Sequence, residues 1–296
     1  MPRGLSAFPL TPLIGGDLDE PALRELVRRC VAADVDSITV LGSTGCAAYL
    51  SVEQRRRVIE AAVSSAGDVP VMAGVSALST RETLLHAEHA AEAGALAVMV
   101  APMTYQPLTE DEVFGLYAEV ADGQDLPIIV YDNPVTTRVD VSVDLYARIS
   151  EVPGIAGFKI PPVTGGPEAM QARVSAVRAA IGDVLSLGIS GDAVAAEGLL
   201  AGCDTWYSVL AGTLPQLAVD LVRAVRESAE AGRAADAALQ PLWDLYRDSG
   251  SSLRAIAAIA EHLRLVQSPI LPSPLRGLDS TGRAAVADVV GTLRLR

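Results

Sequence analysis

The chain has 296 residues, of which 50% are hydrophobic and 20% are charged, as in an ordinary globular protein. Its formal net charge of −13 argues against a general nucleic-acid or anionic-membrane binder, because such binding requires a basic face. The three cysteines, Cys30, Cys46 and Cys203, are odd in number and far apart. This pattern excludes a disulfide framework and a tetrahedral zinc site, and it is typical of a reducing compartment.

The sequence shows no targeting or membrane-spanning segment. Its first six residues lack the apolar region of a signal peptide. The longest apolar run, residues 93–103, is about half of the roughly 20 residues that a membrane span requires. We therefore expect a cytoplasmic protein with neither nucleic-acid nor membrane partners.

Short apolar runs alternate with longer amphipathic segments over most of the chain. We predict eight of these runs to be strands, and several are continuously apolar, as is typical of strands buried on both faces. In chain order they are Leu5–Leu10, Ser37–Leu41, Val69–Gly74, Ala95–Val100, Pro127–Tyr131, Ile155–Lys159, Val184–Gly188 and Thr205–Val209. The segments between them are predicted to be helices, and capping residues precede four of these, namely Asp19, Ser51, Ser79 and Thr109.

Eight strand–helix alternations in about 230 residues predict an α/β fold of the (β/α)8, or TIM, barrel type. The main competitor is an open doubly wound sheet, which carries a glycine-rich phosphate turn after its first strand. Here that place holds Thr11-Pro12-Leu13, so the barrel is favoured.

The predicted strands end before residue 232, and only helical segments follow. Residues 234–266 and 279–294 are predicted to be helical, with a proline-rich break between them. We therefore expect a catalytic barrel over residues 1–232 and a helical extension over residues 233–296. Trp243 in this extension is expected to pack against the barrel or another subunit.

Lys159 is the single lysine among the 23 lysines and arginines of the chain. Codon bias explains most of the arginines but not the surviving lysine. Arginine can replace lysine wherever only a positive charge is needed, but it cannot lose a proton to act as an amine nucleophile. Active sites of such barrels lie at the carboxyl ends of the strands, and Lys159 ends the sixth predicted strand. It is therefore a candidate for amine chemistry.

Other candidate residues lie near the same ends of the predicted strands. Tyr131 ends the fifth strand, and the loop Gly42-Ser43-Thr44-Gly45 follows the second. Gly188 ends the seventh predicted strand, and Tyr207 lies in the eighth. We assign Gly42, Gly188 and Tyr207 to substrate binding, although packing alone would also explain Tyr207.

These residue types suit Schiff-base catalysis. Burial disfavours an ammonium ion, and it therefore lowers the pKa of a lysine amine from about 10.4 towards neutrality. The neutral amine of Lys159 would attack a ketone, and the resulting imine would serve as an electron sink. Tyr131 would relay protons, while Ser43 and Thr44 would bind a carboxylate through hydroxyls and backbone amides.

Five motifs, in order and in register with the predicted barrel, resemble those of one known family. They are Thr11-Pro12, Gly42-Ser43-Thr44-Gly45, Tyr131-x-x-Pro134, Gly157-x-Lys159 and Ser190-Gly191-Asp192. The sequence resembles the dihydrodipicolinate synthase / N-acetylneuraminate lyase family of class I, pyruvate-dependent aldolases, over essentially its whole length.

The resemblance implies an enzyme without metal or cofactor, usually a tetramer built as a dimer of dimers. It implies that Lys159 forms the Schiff base with pyruvate or another 2-oxo acid. It also implies that Tyr131 relays protons and that Ser43 and Thr44 hold the carboxylate.

The sequence departs from this family at several positions. Cys46 replaces a common glutamate, and Thr136 replaces the arginine that grips the carboxylate of the aldehyde in the synthase branch. Arg138 would point to the same side as Thr136 if the segment were extended. A tyrosine that the synthase branch receives from a neighbouring subunit would fall near Met103-Thr104, with Tyr105 one step away.

These observations favour a lyase that cleaves or dehydrates a hydroxylated 2-oxo acid, with Thr136 and Arg138 helping to select the second substrate. The expected partners are pyruvate or a 2-oxo acid, an aldehyde, and further copies of the chain in a dimer or tetramer. One alternative is a true 4-hydroxy-tetrahydrodipicolinate synthase that condenses pyruvate with aspartate semialdehyde. Another is a catalytically silent barrel that binds a ligand.

Three further features are interpreted as structural. His86 and His89, three residues apart on a predicted helix, are expected to lie on the surface rather than to bind a metal. The run Arg55-Arg56-Arg57 is expected to form a solvated, ion-paired face. Cys46 is expected to be a small buried apolar residue rather than a reactive thiol.

Overall fold

The computed structural model describes Met1 and residues 3–295, and it confirms the predicted (β/α)8 barrel. Eight parallel strands form a closed barrel, and a small antiparallel hairpin follows the first of them. The strands are β1 (Gly4–Ala7), β2 (Leu13–Ile14), β3 (Asp17–Leu18), β4 (Ser37–Val40), β5 (Val71–Gly74), β6 (Ala97–Val100), β7 (Ile128–Tyr131), β8 (Ile155–Ile160), β9 (Ser186–Ser190) and β10 (Thr205–Ser208). The barrel closes in the order β1-β10-β9-β8-β7-β6-β5-β4, and β2 pairs with β3 in the hairpin.

Each predicted strand overlaps an observed one. The first was expected to end at Leu10 and ends at Ala7, and the seventh is shifted at both ends. It was expected over Val184–Gly188 and is found over Ser186–Ser190. Val184 is 93% exposed and precedes the strand. Gly188 therefore lies in the middle of β9 and does not end it, so that prediction was wrong by two residues.

The core has two layers because alternate residues of each strand face opposite sides. A small cluster, which includes Met72, Met99 and Ile129, fills the barrel. A larger cluster lies between the strands and the surrounding helices. Burial on both faces explains why strands such as β6 are continuously apolar.

Thirteen α-helices are found among the described residues. They are α1 (Glu20–Ala32), α2 (Val52–Ser65), α3 (Thr80–Glu92), α4 (Glu110–Asp122), α5 (Pro134–Thr137), α6 (Val143–Ser150), α7 (Gly166–Ile181), α8 (Ala195–Leu200), α9 (Pro215–Glu227), α10 (Ala229–Ala238), α11 (Gln240–Asp248), α12 (Ser252–His262) and α13 (Ser280–Leu293). The four predicted caps accept hydrogen bonds from the first turns of α1, α2, α3 and α4. None of the described helices is long and apolar enough to cross a membrane.

The C-terminal extension is helical, as predicted, but it is divided among α10, α11, α12 and α13. The predicted boundary between residues 232 and 233 falls inside α10, and buried residues on both sides of it belong to one continuous core. The two-part division stays a prediction. Trp243 is buried, and the indole donates a hydrogen bond to Asp236 over 3.1 Å.

Two interpretations of polar residues were wrong. His86 is only 1% exposed, because the face of α3 that carries it packs towards α2. Burial, with the positive charge of Arg55, lowers the pKa of this histidine to about 4. Arg55 is also buried, and its guanidinium donates to the carbonyl oxygens of Gly74, which ends the third barrel strand, and of Ser76 just after it. Arg56 does form the expected surface ion pairs.

Candidate active site

Lys159 lies inside the barrel, where three neighbouring strands bring candidate residues side by side. It pairs in register with Tyr131 of β7 and with Gly188 of β9. Since Tyr131 belongs to the cluster that fills the barrel, the register turns the Lys159 side chain to the same interior. The lysine is only 4% exposed.

Three aromatic rings surround the amine. The Nζ atom of Lys159 lies 4.0 Å from the ring centroids of Phe8 and Tyr131 and 5.4 Å from that of Tyr207. Ring faces attract a cation and thus stabilise the ammonium form of Lys159. The loss of hydration on burial destabilises the ammonium form by a larger free energy. Burial thus lowers the pKa of Lys159 to about 7, although the negative charge of Asp192 opposes the change. A large fraction of the amine is therefore neutral and nucleophilic near neutral pH.

Two glycines make room for the aromatic rings. A Cβ atom on Gly188 would lie 2.4 Å from a ring carbon of Tyr207, and one on Gly42 would lie 2.8 Å from the Phe8 ring. Any side chain at either position would displace a ring from the amine. The structure thus gives Gly188 and Gly42 a steric reason to be glycine, while their predicted contact with substrate stays a prediction.

The phenol of Tyr131 has two polar partners. Its oxygen lies 3.1 Å from Oγ of Ser43, and it accepts a hydrogen bond of 2.8 Å from the Asn133 amide. Burial raises the pKa of Tyr131, and these two hydrogen bonds oppose the rise. The arrangement connects a buried phenol beside the amine with a hydroxyl that solvent reaches, as a proton relay requires.

The loop after β4 presents Ser43 to solvent and buries Thr44. Cys46 follows at φ 53°, and its amide donates to the Ser43 carbonyl over 3.1 Å, which closes the turn. Burial raises the pKa of the Cys46 thiol to about 12, so it is unreactive. The interpretation of Cys46 as a small buried residue is confirmed.

The segment after Tyr131 differs from the expectation. Pro134–Thr137 forms a short helix, and Arg138 follows it in the left-handed conformation at φ 58°. The extended geometry that would have aligned Arg138 with Thr136 is therefore absent, and that expectation was wrong. Thr136 faces the site loop, because its hydroxyl accepts a hydrogen bond of 2.9 Å from Asn133. Substrate binding by Thr136 and Arg138 stays a prediction.

The candidate residues omitted Phe8, Asn133 and Asp192. Asp192 belongs to one of the quoted motifs, and its buried carboxylate accepts hydrogen bonds from the Trp206 indole and the Leu210 amide. Burial raises its pKa to about 6. Phe8 lay within a predicted strand, and Asn133 lay in the predicted turn after Tyr131. Phe8 contacts Lys159 and Tyr207, which are far away in the sequence, so no local pattern indicated it. Asn133 contacts Tyr131 and Thr136, two and three residues away, so its place in the turn was a local signal.

Among the residues that the structure describes, no three histidine, cysteine, aspartate or glutamate side chains come together as metal ligands. The polar groups that the structure brings together here are the Lys159 amine, the phenols of Tyr131 and Tyr207, hydroxyls and the Asn133 amide. Such a set can form an imine and move protons beside it.

Comparisons with known proteins agree on one family. The model of the dihydrodipicolinate synthetase family matches residues 1–293. The chain is 35% identical over 280 residues to 4-hydroxy-tetrahydrodipicolinate synthase from Nitrobacter hamburgensis, a match that covers 91% of this chain and 92% of that one. The crystal structure of dihydrodipicolinate synthase from Agrobacterium tumefaciens is 40% identical, has a TM-score of 0.93 and covers 98% of both chains. The enzyme from Acinetobacter baumannii, complexed with pyruvate, is 25% identical with a TM-score of 0.90 over 100% of both chains.

Proposed function

This chain belongs to the dihydrodipicolinate synthetase family and is a class I lyase of that family, and we propose that Lys159 carries its chemistry. The amine adds to the ketone carbon of pyruvate or another 2-oxo acid, water leaves, and an imine forms. The single observation that carries this proposal is the placement of the one lysine, buried inside the barrel among three aromatic rings and in register with Tyr131. Burial there lowers the pKa of the amine.

The surrounding groups fit the steps on either side of the imine. Ser43 and Thr44 hold the carboxylate of the 2-oxo acid through hydroxyls and loop amides. Tyr131 takes the proton from the attacking amine, delivers it to the departing hydroxyl and later exchanges protons with the reacting carbon. The protonated imine accepts an electron pair from the neighbouring carbon. In a cleavage, the bond between the α- and β-carbons breaks, the β-hydroxyl loses its proton, and an enamine and an aldehyde form. In a dehydration, the α-carbon loses a proton and the β-hydroxyl takes up a proton and leaves as water.

We place the second substrate among neutral, hydroxylated compounds. Thr136 offers a hydroxyl, and its hydrogen bond from Asn133 holds it at the mouth of the site. The relatives named 4-hydroxy-tetrahydrodipicolinate synthase support condensation with aspartate semialdehyde as the second candidate. No finding favours a catalytically silent barrel.

We expect wild-type protein to release pyruvate from hydroxylated 2-oxo acids faster than it condenses pyruvate with aspartate semialdehyde. Thr136→Arg should raise kcat/KM for the semialdehyde by about 10- to 100-fold, because a charge-assisted hydrogen bond is worth about 1.5–3 kcal/mol. Both reactions are measured by coupled pyruvate assays. Val135→Arg is the matched control, since it adds the same charge at a neighbouring exposed position. A wild-type preference for aspartate semialdehyde would favour the synthase instead.

We also propose that copies of this chain associate through one part of the barrel rim. Three exposed apolar residues follow the neighbouring strands β4, β5 and β6, at the end of the barrel that holds Lys159: Tyr49 is 48%, Leu78 is 66% and Tyr105 is 88% exposed. Large apolar side chains exposed along one rim are typical of interfaces between subunits. In the synthase branch, one subunit lends a tyrosine to the proton relay of its neighbour. Tyr105 is next to the position that corresponds to this tyrosine.

Sedimentation velocity should show a dimer or tetramer for wild-type protein and a smaller species for the double variant Leu78→Asp, Tyr105→Asp, because buried aspartates oppose association. Val184→Asp is the control, since Val184 is also a highly exposed apolar residue but precedes its strand at the opposite end of the barrel. A monomeric wild-type protein would contradict this proposal.

The three cysteines support the cytoplasmic location that we propose. Cys30, Cys46 and Cys203 are all buried and unpaired. Buried free thiols are ordinary in a reducing compartment, where disulfides are rare.

A further inference from the structure

The side chain of Asn133 bridges two oxygens at the mouth of the site. Its Nδ2 atom lies 2.8 Å from the Tyr131 phenolic oxygen and 2.9 Å from Oγ1 of Thr136. A primary amide has two N–H donors, so both are used. Ser43 continues the series on the other side of the phenol at 3.1 Å. The polar atoms therefore form one continuous chain, which we call the relay chain: Ser43, Tyr131, Asn133 and Thr136.

We infer that Asn133 is a positioning residue, whose amide donates to the phenolic oxygen of Tyr131 and thereby directs the phenol's own proton towards Ser43 and bound substrate. A phenol has one proton to donate. The Nδ2 atom of Asn133 is a donor and cannot accept a hydrogen bond, so the phenol of Tyr131 cannot donate its proton towards Asn133. The inference rests on the proposed function, since it assigns Asn133 a role in the proton relay of that reaction.

The amide also makes the phenol a better proton donor. Burial alone raises the pKa of Tyr131, whereas hydrogen bonds from Ser43 and Asn133 stabilise the phenolate and oppose the rise. General acid–base catalysis is most effective when the pKa of the group approaches the working pH. Asn133 therefore promotes the proton transfer that Tyr131 performs.

Asn133 is the only asparagine in the chain, as Lys159 is the only lysine. Aspartate has the same shape, but its ionised carboxylate can only accept hydrogen bonds. Asp132, the preceding residue, has its carboxylate turned away from the relay chain and accepts a hydrogen bond of 2.6 Å from Tyr146. Asp132, which accepts, is therefore bonded to Tyr146, whereas Asn133, which donates, lies beside the Tyr131 phenol.

The test uses a partial reaction that needs no second substrate. When the imine of pyruvate becomes an enamine, a methyl C–H bond breaks and the proton passes to the relay. Return of a deuteron in D2O labels the methyl group, and proton NMR measures the rate. Asn133→Asp and Asn133→Leu are expected to lower the kcat of this exchange about tenfold, as loss of one hydrogen bond to the phenol implies. The KM for pyruvate and the borohydride-trapped adduct on Lys159 should be unchanged.

A second background distinguishes positioning from a general structural role. In Tyr131→Phe the phenolic oxygen is absent, so adding Asn133→Leu should cost less than twofold further. Gln171→Glu is the matched control. The Gln171 amide also contacts two oxygens, on Ser175 and Ala201, but it lies on an outer helix. The Gln171→Glu variant should exchange the pyruvate methyl protons at the wild-type rate.

Full exchange activity in Asn133→Asp, or an unreduced effect of Asn133→Leu in the Tyr131→Phe background, would overturn the inference. Failure of the proposed function looks different, because wild-type protein would then show neither adduct nor exchange.

Discussion

Incubation with pyruvate and borohydride is expected to add about 72 Da to the wild-type protein, the mass of pyruvate after loss of water and gain of hydride in a reduced imine. Peptide digestion should place the adduct on Lys159, the only lysine available. Lys159→Arg should abolish the adduct and lower kcat by at least about 10³-fold, because arginine keeps the charge but supplies no amine nucleophile.

The pH dependence of borohydride trapping tests whether burial makes the Lys159 amine reactive by lowering its pKa. With a pKa of about 7, Lys159 is mostly ammonium below pH 7 and mostly neutral amine above it. The initial rate of adduct formation should therefore rise as the pH increases through about 7 and then level off. An ordinary exposed lysine would still be gaining rate at pH 9. An adduct on the amino terminus alone, or one that persists in Lys159→Arg, would contradict the assignment.

Tyr131→Phe is expected to lower the rate of pyruvate methyl exchange by about 10²- to 10⁴-fold, the usual contribution of a positioned acid–base group. The ring that packs on the Lys159 amine remains, so the amine keeps its apolar surroundings. The adduct on Lys159 should still form, although more slowly. The measurement compares exchange by NMR with trapping by mass spectrometry.

Tyr117→Phe is the control for loss of a buried phenol. Its hydroxyl donates to the Val100 carbonyl over 3.1 Å, outside the relay chain. Loss of this hydrogen bond should cost about 1 kcal/mol of stability and leave the exchange rate unchanged. Equal rates of methyl exchange in Tyr131→Phe and wild type would contradict the role of Tyr131 in the proton relay.

Much of the fold followed from local patterns. Buried parallel strands require apolar runs, and helix starts require caps, so eight strands and the helices with predicted caps were placed. The seventh strand was displaced because Val184 is apolar yet exposed, and periodicity alone does not report exposure. His86 was wrongly placed on the surface, because the way in which α3 packs on α2 decides which face is covered.

The sequence by itself determined the barrel, the family resemblance and the one residue able to act as an amine nucleophile, since these depend on residue type and on spacing along the chain. Only the tertiary structure decided what surrounds that amine. Phe8 directly follows β1, Tyr131 lies in β7 and Tyr207 lies in β10. The closure of the barrel brings these three rings, distant in sequence, around Lys159. The same closure sets the contact between Ser43 and Tyr131. Desolvation and hydrogen bonding act over a few ångströms in space, so the reactivity of Lys159 depends on contacts that no local sequence pattern encodes.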